Sequence, residues 1–140
     1  MSAATDYLEN KLFDHVYRNT AFVSPPKTYI ALHTADPGET GALNEVATAV
    51  WSTYARQDAS KGGAQNTAWT APANGVGKNA FQLLYAMYNG AAALTVTHFS
   101  IWDAAVAGNA LVYAPLASAR TINPGDVFVV DVQKLTGQVL

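Results

Sequence analysis

The chain has 140 residues, of which 13% are charged and 50% hydrophobic, and a formal net charge of −2 from eight Lys and Arg against ten Asp and Glu. That length suits one domain with a core large enough to fold without staples, and the absence of cysteine excludes disulfides, thiolate metal sites and cysteine nucleophiles. The few scattered cations exclude the basic stripe that a nucleic-acid or anionic-membrane partner requires.

The first element is a helix over residues 6–17. Leu8, Leu12 and Val16 fall four apart on one face, flanked by Tyr7, Phe13 and Tyr17. Asp6 and Glu9 have capping-box spacing, and Arg18 lies at the favourable C-terminal end. Residues 1–20 lack the basic start, apolar middle and cleavage site of a signal peptide, so a soluble chain made in the cytoplasm and not exported by that route is expected. Ser24-Pro25-Pro26 ends this region, because proline cannot continue a helix ladder.

An alternating strand follows over residues 27–34, with Thr28, Ile30, Leu32 and Thr34 on one side and Tyr29, Ala31 and His33 on the other, and turn formers fill 35–41. The signal then weakens. Residues 46–51 read as a short helix or irregular stretch, 52–58 as a strand, 61–66 as a mobile loop, 67–71 as a short strand and 74–79 as a glycine-bearing loop. Residues 81–88 fit helix or strand by pattern, and their length and aromatics favour strand.

After Asn89-Gly90 comes the stretch that organises the chain. β-prone runs at 95–102, 110–114 and 127–132 are separated by turns at 103–109 and 123–126, which predicts an antiparallel sheet. A terminal strand at 135–140 completes about eight short strands. The expected fold is mainly β, a jelly-roll or β-sandwich in a single domain over 1–140, with the helix and an arm in 1–22 and the sandwich in 27–140. No apolar run is long enough for a membrane span.

Chemistry is sparse. His33 with Asp36 and His98 with Asp103 are the nearby histidine and carboxylate pairs, but each acid sits where a strand meets a turn and suits an Asx-type bond to its own backbone. No third metal ligand is spaced to join them, there is no Gly-x-Ser-x-Gly, and 74–78 lacks the spacing of a phosphate loop. Ten acids leave a glycosidase pair open, with nothing that favours one. No catalytic residue, metal or cofactor is therefore expected.

Aromatic side chains are the remaining candidates for contact. Trp102, inside an alternating strand, reads as core. Trp51 and Trp69 lie near weakly predicted loops and, with Tyr7, Phe13 and Tyr17 of the helix, are candidate interface residues, packing within the same subunit being the competing reading for each. The low charge content has two readings as well: a surface covered by other protein, or one kept neutral by Ala, Ser, Thr and Asn.

Several stretches resemble a family of small tailed-phage virion proteins: Lys27-Thr-Tyr-Ile-Ala-Leu-His-Thr-Ala-Asp-Pro-Gly-Glu-Thr-Gly41, Asn44-Glu45-Val46, Tyr54-Ala-Arg-Gln57, Thr97-His-Phe-Ser-Ile-Trp-Asp-Ala104, Gly108-Asn109, Leu116, Arg120-Thr-Ile-Asn-Pro-Gly-Asp126 and Leu135-Thr136. Relatives are often labelled tail-fibre-like, and one is similar to the cement protein that decorates the capsid of a short-tailed Bordetella phage. Residues 47–53 depart from the short glycine-rich link usual in that family.

The resemblance implies a jelly roll without enzymatic activity. The function expected from it is capsid cement: a homodimer or homotrimer bound to the major capsid protein on the outer capsid surface. A tail-fibre or baseplate module that binds receptor is the alternative, and a small cell-wall hydrolase a third.

Overall fold

The structure, a computed structural model, describes residues 2–138. It is mainly β: nine short strands in antiparallel sheets with one N-terminal helix, and no closed barrel. The strands are β1 (Ala3–Ala4), β2 (Tyr29–His33), β3 (Gln57–Asp58), β4 (Val76–Lys78), β5 (Leu83–Leu84), β6 (Leu94–Trp102), β7 (Ala110–Ile122), β8 (Val129–Val130) and β9 (Thr136–Gln138), and the helix α1 spans Asp6–Tyr17. A five-stranded sheet in the order β1-β7-β6-β2-β3 is accompanied by two two-stranded sheets, β4-β9 and β5-β8.

β6 and β7 are the two longest strands and pair along most of their length; the runs at 95–102 and 110–114 pair as the sequence indicates, and β7 continues beyond its predicted end to Ile122. The third run does not join them. Its strand is only Val129–Val130 and pairs with β5, with Leu83 opposite Val130 and Leu84 opposite Val129.

Both faces of the large sheet are covered at its centre. Ile30, Leu32, Phe99, Ile101, Val112 and Ala114 share the face that meets the main core, where Trp51, Tyr85, Tyr88 and Phe128 are buried. Ala31, His33, Ser100 and Trp102 project from the other face and are equally buried. β2 is therefore enclosed on two sides from Ile30 to His33, and its polar residue has to find partners inside.

Other predicted elements shrink or shift. The helix has its expected bounds, but its cap is Thr5: the Thr5 hydroxyl accepts from the Leu8 amide at 3.3 Å and donates to the Ala110 carbonyl at 2.6 Å. Of residues 52–58 only Gln57–Asp58 are strand, because Tyr54 and Arg56 are drawn into side-chain bonds instead of a ladder. Residues 67–71 give way to a 3-10 turn at Gln65–Thr67, and 74–79 is partly strand β4, entered through a tight hairpin. The predicted terminal strand is Thr136–Gln138; Val139 and Leu140 lie outside the described residues. Lys27 ties down the 61–66 segment, since its amine donates to Ser60 Oγ at 2.6 Å and to the Gly63 carbonyl.

Candidate interaction site

Part of the set that carries the resemblance, His33, Glu45, Arg56, Ser100 and Trp102, meets on the second face of the large sheet, while Ile30, Leu32, Phe99 and Ile101 of the same set face the main core. His33 and Ser100 stand on neighbouring strands, both 0% exposed, with His33 Nε2 2.6 Å from Ser100 Oγ and His33 Nδ1 2.7 Å from the Leu43 carbonyl. A carbonyl can only accept, so Nδ1 carries the proton and Nε2 accepts from the Ser100 hydroxyl. Ser100 Oγ in turn accepts from Trp102 Nε1 at 2.7 Å. Burial holds the His33 pKa below its ordinary value, which keeps the ring neutral. The spacing is that of a nucleophile and its base, yet both groups are sealed and spent on structural bonds.

Above this layer lies Arg56. Its guanidinium forks onto Glu45 through Nε to Oε1 at 2.9 Å and Nη2 to Oε2 at 2.8 Å, donates to the carbonyls of Ala104 and Ala107, and lies 3.6 Å from the Trp102 ring centre. Burial opposes ionisation of Glu45, but Arg56 and the Tyr54 hydroxyl outweigh it and hold the carboxyl below its usual range. Tyr54 also accepts from the Leu32 amide at 2.9 Å, and its own pKa is pushed up, chiefly by burial.

The 103–109 loop is closed from within as well. Asp103 accepts from the Asn109 amide and side chain at 2.7 and 2.9 Å, and a Cβ at Gly108 (φ +75°) would fall 2.4 Å from Asp103 Oδ1. Asp36 likewise accepts from the Gly38 amide at 2.8 Å. Both acids serve their own turns, and among the described residues no group of three or more His, Asp or Glu side chains is placed to hold a metal ion.

The five candidate contact residues separate. Trp51 is corrected: it is 0% exposed, because the tight turn that bonds its amide to the Ala47 carbonyl drives the indole into an aromatic cluster with Tyr54, Tyr85 and Tyr88 at ring separations of 5.6, 6.2 and 5.4 Å. Trp69 is half-buried at the core edge and donates to Thr28 Oγ1 at 3.0 Å, and Tyr7 is half-buried against the same core. Phe13 and Tyr17 stand free at 56% and 75% exposure with their rings 4.9 Å apart.

This division follows from how α1 docks. Its apolar stripe begins buried at Leu8, is half-buried at Leu12, and at Val16 is 66% exposed. The helix therefore runs past the body that covers its first two turns. Just beyond it, Asn19 turns the chain with φ +53°, and Val23 is 82% exposed. Phe13, Val16 and Tyr17 thus share an uncovered helical end, where burying each would contribute about 1.5–3 kcal/mol.

A second apolar surface was not singled out from the sequence. Leu84 and Val129, directly paired across β5 and β8, are 49% and 42% exposed, and Val127 is 48% exposed. The signal was the alternation itself: Leu83 and Tyr85 point in, Leu84 and Ala86 point out.

Comparison with known proteins places these observations. A family model described as Podophage GP4 fiber I protein gp80 matches residues 3–138. No curated protein matches the chain. The expected phage origin is met at the level of a virion structural protein. With the match running through the helix, the clamp around Arg56 and all nine strands, the chain belongs to the podophage GP4 fiber I protein gp80 family.

Proposed function

We propose that the chain is a non-catalytic building block of the phage particle, present in repeated copies, which adheres to neighbouring virion proteins and to copies of itself. The observation that carries this reading is the uncovered end of α1, where Phe13, Val16 and Tyr17 prolong a stripe whose first half is already in use. A helix this short is stable only when docked, and a face left apolar in water marks a place of contact. One such contact is modest in strength; a dimer or trimer that engages several neighbours gains from effective concentration.

The family description favours placement in a tail fibre. A second placement, cement on the outer face of the major capsid protein lattice, is favoured by the two apolar surfaces on separate elements, α1 and the β5-β8 pair, because a protein that bridges subunits needs more than one. Copy number in purified particles, with labelled antibody seen by electron microscopy, distinguishes the two: few copies at the tail for a fibre, many spread over the head for cement. Absence from purified particles, or turnover of cell-wall glycan by the isolated chain, would overturn the proposal.

A further inference from the structure

The chain contains two Asn-Gly steps, Asn74-Gly75 and Asn89-Gly90. A glycine after asparagine leaves the next backbone nitrogen unhindered, so that it can attack the side-chain carboxamide. The two steps have different surroundings. Asn74 and Gly75, with φ of +52° and +77°, are the central residues of a two-residue hairpin turn whose ends exchange hydrogen bonds, Ala73 N to Val76 O and Val76 N to Ala73 O, both at 3.0 Å. Asn74 is exposed, and among the described residues no hydrogen bond holds its carboxamide or the Gly75 amide. Asn89 is held at both ends: its Oδ1 accepts from the Ser52 amide at 3.1 Å and its Nδ2 donates to Ser52 Oγ at 2.7 Å.

We infer that Asn74 is a site of spontaneous covalent ageing through a cyclic imide, and that Ser52 shields Asn89 from the same reaction. The Gly75 nitrogen forms a bond to Asn74 Cγ, the Cγ–Nδ2 bond breaks, and the Gly75 amide proton leaves with Nδ2 as ammonia. Solvent water then adds to one of the two imide carbonyls. Opening at the side-chain carbonyl restores a normal backbone with aspartate; opening at the backbone carbonyl gives isoaspartate, in which the main chain passes through the side-chain methylene. No electrons are exchanged, and water is the one co-reactant. The isoaspartyl product lengthens a turn that accommodates only two residues, so the paired Ala73 and Val76 bonds cannot both persist. That loosens the entry to β4, which pairs with β9.

The test is to hold the purified full-length protein, folded, in warm and mildly alkaline water enriched in heavy oxygen, and to map its peptides over time beside a denatured sample. In the folded protein the Asn74 peptide should lose its amide, gain heavy oxygen and split into two isomeric products, while the Asn89 peptide keeps its amide; in denaturant both should convert. Ser52→Ala removes the hydroxyl bond to the Asn89 Nδ2 and keeps the Ser52 amide bond to its Oδ1, so it should raise conversion at Asn89 in part and leave that at Asn74 unchanged. Survival of the Asn74 amide in folded protein while the denatured chain converts would overturn the assignment. So would equal conversion of both asparagines in folded protein, and an Asn89 indifferent to Ser52→Ala would remove the hydroxyl from the shielding.

Discussion

Replacing Phe13 and Tyr17 together by alanine separates contact from folding. In the free subunit these side chains are 56% and 75% exposed, so most of their apolar surface contributes nothing to the fold, and alanine improves helix propensity. The net loss of stability should stay below about 1 kcal/mol, a shift of only a few degrees in Tm. In the particle, where both rings would be covered, losing about 1.5–3 kcal/mol from each amounts to roughly 3–6 kcal/mol, more than about a hundredfold in affinity. The assay is competition: wild-type and variant chains are expressed together during infection, and their ratio in purified virions is read by mass spectrometry against their ratio in the lysate. Strong depletion of a folded variant is expected. Equal incorporation would refute the placement of the contact on α1.

Three further outcomes test the interior. Arg56→Ala leaves Glu45 half-buried without its guanidinium and unties the 103–109 loop, so chemical denaturation should show a loss of about 3 kcal/mol; Arg56→Lys should recover only part of it, because an ammonium can neither fork onto the carboxylate nor stack flat on Trp102. Trp51→Ala should cost about 3–5 kcal/mol, and Trp51→Phe clearly less, because the buried indole N–H has no hydrogen-bond partner and disappears with the substitution. Acidification should destabilise the fold before the carboxylates titrate. The unfolded chain binds a proton at His33 near pH 6.5 while the folded chain, its pKa lowered, does not. The stability contributed by the neutral ring is thus complete above that value and falls as the pH drops below it, by at most about 1.4 kcal/mol per pH unit. Denaturation midpoints that stay flat across this window would contradict the neutral, buried ring.

Local signals were legible where one cause dominated. The 3.6-residue stripe gave α1 its bounds, since spacing alone decides a helix, and the β-prone runs gave β6 and the first five residues of β7, Ala110–Ala114. Residues 52–58 misled because their β-prone Tyr54 serves the core and a hydrogen bond to Leu32, not a ladder. Trp51 misled for a related reason: an indole beside a weakly predicted segment can turn inward when a tight turn reverses the chain, and no local spacing reports that. The exposed pair at Phe13 and Tyr17 was visible as aromatics flanking a stripe, but the point at which the body stops covering that stripe depends on tertiary geometry. The motif residues were legible as a set, whereas the work of some of them, to interlock around His33, Ser100 and Arg56, required the sheet register.

Arg56 grips the 103–109 loop by the oxygens of Ala104 and Ala107, atoms that every amino acid possesses. The intervening crest, Ala105 and Val106, contributes no side chain to that grip, and Val106 projects with 84% of its surface in water. Side-chain identity there is uncoupled from the anchorage. The crest can therefore drift in sequence, or accept a fluorophore or cysteine handle by design, while the frame beneath keeps its shape.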